Sequence, residues 1–112
     1  GTGFSGNVIY SNPTNLQVSA GNMVRNNLIY GSADHGILVS GVAGAQIVNN
    51  TVHALEGDAI RIQNNSRDLT LRNNIVQAGD GYAVSVTADS QTGFASDYNL
   101  FHTTGTGRVG LW

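Results

Sequence analysis

Five times along the chain an asparagine is followed by two mostly large apolar residues and then a polar or aromatic one. The copies are Asn7-Val-Ile-Tyr10, Asn27-Leu-Ile-Tyr30, Asn50-Thr-Val-His53, Asn74-Ile-Val-Gln77 and Asn99-Leu-Phe-His102. Their asparagines stand 20, 23, 24 and 25 residues apart. In the three central copies a second asparagine precedes (Asn26, Asn49, Asn73), and in the last Tyr98 takes that place.

Each copy leads through a glycine-rich stretch into an alternating apolar triplet: Leu16-Gln-Val18, Ile37-Leu-Val39, Ile60-Arg-Ile62, Val84-Ser-Val86 and Val109-Gly-Leu111. A third short segment, Met23-Val-Arg25, Gln46-Ile-Val48 or Thr70-Leu-Arg72, precedes the central asparagines. Three strands per period, with no helical periodicity, describe one coil of a parallel β-solenoid. Alternation turns Ile37, Ile60, Val84 and Val109 inward in one column and Val39, Ile62, Val86 and Leu111 in another. The whole chain is then one domain, with coils near 6–25, 26–48, 49–72, 73–97 and 98–112. At one strand spacing per coil, the rod is about 20–25 Å long.

A corner between short strands needs a residue near the left-handed region, which asparagine tolerates. The sequence therefore assigns Asn27, Asn50, Asn74 and Asn99 to such a corner, their stacked amides forming a ladder from coil to coil. The same alternation leaves Val8, Leu28, Thr51, Ile75 and Leu100 outward, a mostly apolar stripe that implies a covered face or a buried corner. Arg72 and Asp97 fall beside each other on adjacent coils, where an exposed ion pair is expected. His53 and His102 share a column two coils apart, too far to bind one metal ion.

This coil pattern, running over residues 6–112, resembles the right-handed parallel β-helix family that includes pectate lyases, alginate lyases, chondroitinase-type lyases and mannuronan C5-epimerases. Ser96-Asp-Tyr-Asn-Leu-Phe101 is similar to a coil of secreted bacterial members. The resemblance implies an all-β, right-handed parallel β-helix, an extracellular or cell-surface setting in a bacterium, and a polysaccharide as partner. It also implies a substrate groove along the corner after the asparagine strand and the sheet adjoining it. Its coil motif specifies a fold and no single activity.

Along that corner His35, Asp58, Tyr82 and Gly107 form one column. Ala33, Glu56, Asp80 and Gly105 form a second, and Asp34, Gly57, Gly81 and Thr106 lie between them. On the adjoining sheet Gln17, Leu38, Arg61 and Ser85 point outward, which makes Gln17, Arg61 and Ser85 the candidate substrate-binding residues. Three readings compete. His35 against Asp58, with Tyr82 and Arg61 nearby, has the parts to remove a proton α to a uronate carboxylate. Glu56, Asp58 and Asp80 supply oxygen ligands for Ca²⁺. Alternatively, Asp and Gly collect here simply as turn formers. Relatives with epimerase or lyase activity carry an Asp-Pro-His motif or a Lys or Arg base, whereas this chain has Ala33-Asp34-His35 and no lysine.

Composition narrows the choice. A net charge of −2 lacks the basic excess that nucleic acid or an anionic membrane requires. No cysteine means no disulfides and no thiol chemistry, and no apolar run is long enough to span a membrane. Solenoid ends left open invite stacking, so self-association or membership of a longer chain is expected, with Phe4 and Trp112 as partial plugs. These observations favour a portion of an exported polysaccharide-associated protein that binds or scaffolds. A uronate lyase or C5-epimerase, Ca²⁺-assisted, is the alternative, and a structural or adhesive rod the third.

Overall fold

A computed structural model describes residues 3–10, 14–18, 23–31, 34–54 and 56–111. In chain order the strands are β1 (Gly3–Ser5), β2 (Val8–Tyr10), β3 (Thr14–Val18), β4 (Met23–Arg25), β5 (Leu28–Tyr30), β6 (His35–Ser40), β7 (Gln46–Val48) and β8 (Thr51–Ala54). They continue as β9 (Asp58–Gln63), β10 (Thr70–Arg72), β11 (Ile75–Ala78), β12 (Tyr82–Val86), β13 (Ala95–Asp97), β14 (Leu100–Thr103) and β15 (Arg108–Leu111). Every third strand pairs in parallel. The result is three five-stranded sheets, β1-β4-β7-β10-β13, β2-β5-β8-β11-β14 and β3-β6-β9-β12-β15. We refer to them as the first, second and third sheets.

The inward residues are those the alternation selects. Val24, Ile47 and Leu71 come from the first sheet, Ile29, Val52 and Val76 from the second, and Ile37, Ile60 and Val84 with Val39, Ile62 and Val86 from the third. All are closed off from solvent, so each coil contributes one layer to a continuous apolar column. No helix among the described residues is long and apolar enough to cross a membrane.

The last coil departs from the expected register. Val84 pairs with Gly110 and Ser85 with Leu111, which leaves Val109 47% exposed rather than in the core column. The cause is length. The turn between β14 and β15 holds residues 104–107, one more than the three of 79–81 between β11 and β12, and closes on itself by a Gly107 N–H bond to the Thr104 carbonyl. Val109-Gly-Leu111 imitates the core triplet but sits one residue out of step. Of the expected end plugs, Trp112 lies outside the described residues, as does the side chain of Phe4.

The asparagine ladder forms, with its two tasks divided between neighbours. Asn27, Asn50 and Asn74 are buried, and the side-chain amides run in one chain: Asn7 Nδ2 donates to Asn27 Oδ1, Asn27 to Asn50, Asn50 to Asn74 and Asn74 to Asn99, at 2.9–3.1 Å. Each Oδ1 also accepts the backbone N–H of the asparagine one coil earlier. The left-handed backbone belongs instead to the preceding residue: Asn26, Asn49, Asn73 and Tyr98, with φ of 55°, 57°, 55° and 54°. This corrects the assignment of both tasks to one residue. The first residue of each pair makes the bend, and the second satisfies the buried polar groups that the bend exposes.

Tyr98 is the exception that carries a cost, because a bulky residue at positive φ is disfavoured by about 1–2 kcal/mol. Its ring is 71% exposed and rests under the Arg72 guanidinium, 5.7 Å from the ring centroid. Arg72 and Asp97 are neighbours in register, yet the expected ion pair between them is absent among the described residues, since Asp97 Oδ1 accepts the Tyr98 N–H instead. Relief of backbone strain outweighs the lost ring contact, so Tyr98→Asn is expected to stabilise the chain by about 0.5–1 kcal/mol. A denaturant midpoint unchanged or lowered in that variant would contradict this account.

Candidate functional site

The corner between the second and third sheets is shaped first by backbone proximity. Gly57 has φ of +69°, and a Cβ there would run into the Asp34 carbonyl of the previous coil. A Cβ on Gly81 would in turn meet the Gly57 carbonyl. The chain therefore stacks Gly57 on Asp34 and Gly81 on Gly57 with no room for a side chain at either glycine, and the acids around them project to solvent or fold back. Asp34, Glu56 and Asp80 are all exposed. Asp80 Oδ1 accepts the Gly57 N–H at 2.8 Å, which ties its coil to the one before.

Just beyond the turn, the register places Thr14, His35 and Asp58 in one column, with Tyr82 beside Arg108 further along. Asp58 is only 8% exposed, and both its oxygens are committed. Oδ1 accepts the Tyr82 backbone N–H at 2.8 Å, and Oδ2 lies 3.3 Å from Arg61 Nη1 in an ion pair. Arg61 Nε donates to Gln63 Oε1 at 3.0 Å, so the guanidinium is held along the outer face of β9 between two partners. The guanidinium is partly exposed, and Coulomb attraction through water makes such a pair worth at most about 1 kcal/mol. Its effect is to fix the arginine in one place.

This arrangement separates the groups that the sequence brings together for catalysis. His35 is the register neighbour of Asp58, but the carboxylate is turned toward the following coil, and the enclosed His35 Nδ1 makes no hydrogen bond. The reason is local. The Tyr82 N–H would otherwise be left unpaired at the corner, and a buried carboxylate gains more from it than from an imidazole behind it. The set Glu56, Asp58 and Asp80 does not converge either. Among the described residues no three acid or imidazole side chains are placed to hold a metal ion, because Asp58 faces Tyr82 and Arg61 while Asp80 faces Gly57.

On the outer face of the third sheet Gln17 is exposed, and Leu38 and Arg61 are half-buried. Ser85 is 2% exposed, so it is covered rather than offered to a ligand, a small side chain in register beside the longer Arg61. Two participants escape the sequence reading. Gln63, two residues beyond Arg61, orients the guanidinium. Arg108 is exposed and stands next to Tyr82, where counting from Asn99 places Gly107. No sequence signal reveals the extra turn residue, because Val109-Gly-Leu111 reads as a core triplet in the wrong step. No pocket opens among the described residues.

The family model for the right-handed β-helix region matches residues 1–99, nearly the whole length over which the coils repeat. The chain belongs to that family. Neither the curated proteins nor the solved structures give a match. For this β-helix the fold is thereby named, while its chemistry rests on the geometry of the faces just described.

Proposed function

We propose that this β-helix is a portion of an exported polysaccharide-associated protein, in which the third sheet and its corner bind glycan without cleaving it. The observation that carries the reading is the commitment of Asp58. Its carboxylate is held by the Tyr82 N–H and by Arg61, so the acid and base for proton abstraction are not assembled, whereas a guanidinium is fixed on an open face. An arginine already held in place loses less freedom when it pairs with a ligand oxygen, and this favours binding. Gln17, Arg61 and Arg108 are the hydrogen-bonding side chains best placed for it, and the two arginines suit the carboxylates of a uronate polymer. A setting on the bacterial cell surface or outside the cell accompanies such a ligand.

The test is affinity electrophoresis against alginate, pectate, chondroitin and neutral glucans, with and without Ca²⁺, alongside ultraviolet absorbance of unsaturated uronate products. Retardation by a uronate polymer with no rise in absorbance is expected. Combining Arg61→Ala with Arg108→Ala should weaken retardation about tenfold, as loss of two solvent-exposed ion pairs implies. Accumulating unsaturated products would make the protein a lyase, and silence with every polymer would leave a structural rod.

A further inference from the structure

The outer face of the second sheet differs from the other two in charge. None of the chain's Asp, Glu, Lys or Arg residues lies on β2, β5, β8, β11 or β14. The first sheet carries Arg25, Arg72 and Asp97, and the third carries Asp58, Arg61 and Arg108. The second sheet also concentrates the exposed apolar surface. Of the eight exposed large hydrophobic residues among those described, Tyr10, Leu28, Tyr30, Ile75 and Leu100 are on it. They form two columns, an aliphatic one beside the asparagine corner and another that begins with the tyrosines. The Tyr10 and Tyr30 rings stack face to face, 5.1 Å apart and within 4° of parallel. Each ring turns one face to the other, which makes the pair a stiff apolar element of this sheet's outer surface.

We propose that this face packs against the same face of a second copy of the chain, as a two-fold dimer. The argument is one of self-compatibility. A two-fold contact brings each surface against itself, so residues near the axis meet their own counterparts. The first sheet would have to strip water from Arg25, Arg72 and Asp97, and the third from Arg108 and the Arg61–Asp58 pair. The second sheet opposes Leu, Ile, Thr and Tyr to their own kind, and only His53 and His102 are able to bring charge to it. Two flat parallel sheets meeting this way stand about 10 Å apart, the ordinary spacing of stacked sheets. The axis passes near β8, the middle strand, where Thr51 is exposed and points outward. The contact leaves the third sheet open and does not depend on glycan binding.

Sedimentation equilibrium of the full chain over a range of concentrations tests the proposal. Twice the monomer mass is expected at the upper end. Thr51→Glu alone and Thr51→Arg alone should each return the monomer, because like charges then meet at the axis. An equimolar mixture of the two should restore the dimer. A variant with Leu28, Ile75 and Leu100 all changed to Ser should also be monomeric, and unchanged far-ultraviolet circular dichroism confirms that each variant is folded. A wild-type chain that stays monomeric at every concentration overturns the proposal. So does association that Thr51→Glu leaves intact, which would point to end-on stacking of coils. A mixture of the charged variants that remains monomeric equally overturns it.

Discussion

Asn50→Asp is expected to be among the most damaging single-atom exchanges available to this chain. Asn50 is 1% exposed and sits in the middle of the amide ladder. Its Nδ2 donates to Asn74 Oδ1 at 3.1 Å and to the Val24 carbonyl at 2.8 Å. Its Oδ1 accepts from the backbone and side-chain nitrogens of Asn27. An aspartate keeps the accepting oxygen but replaces the donor with a second acceptor, which faces two oxygens that already need protons. Each stranded buried group costs about 1–3 kcal/mol, and an uncompensated carboxylate costs more, against a total stability of about 5–15 kcal/mol for an ordinary domain. A large loss of stability near neutral pH is the expected result. The pH dependence identifies the cause. Burial beside acceptors raises the carboxyl pKa in the folded state above its unfolded value, so the folded variant holds its proton more tightly and gains stability as pH falls. The thermal midpoint of Asn50→Asp should therefore rise between pH 7 and pH 4 relative to wild type. A midpoint that is flat or falls over that range would show that donor loss is not the source of the damage.

The second large effect separates two valines that look equivalent in the sequence. Val84 is fully buried in the third-sheet column, and Val84→Asp should abolish the folded state, since an isolated charge would enter the apolar interior. Val109→Asp should cost less than about 0.5 kcal/mol, because that side chain already meets water. Circular dichroism melts of the two proteins check both halves. Equal damage from the two substitutions would restore the register that the triplet pattern suggests.

That comparison also shows how far the sequence reaches. The parallel coils, the three strands per coil and the interior columns through Ile37, Ile60 and Val84 are legible because burial on one side of a strand imposes a period of two, and stacking imposes a second period of one coil. The ladder is legible too, but the division of labour inside each Asn-Asn pair is not, because both residues are asparagine wherever the pair is clearest. Gly6 and Tyr98, at positive φ yet unable to join an amide ladder, are the positions that distinguish the two tasks.

A second ladder goes unseen for a related reason. Ser66 and Ser90 are both buried; the Ser66 hydroxyl accepts the Val42 N–H, and the Ser90 hydroxyl accepts the Ser66 N–H, each at 3.0 Å. Serine in a turn has many ordinary uses, and two copies set no period. At the candidate site the column of His35 and Asp58 follows from counting residues, but the direction in which a carboxylate points does not. That depends on which backbone N–H lacks a partner, which only the turn geometry of the next coil decides.

The amide ladder has one further consequence. Every side-chain link from Asn7 to Asn99 runs in the same sense, with nitrogen toward the later coil and oxygen toward the earlier one. Aligned amides polarise one another, so the column acts as a vector along the rod and gives its two ends opposite character. Whole coils can be inserted or removed without reversing any link, whereas a shift of one or two residues at the corner breaks the series at that point. Rod length is thus free to change in steps of a coil, and its direction is not.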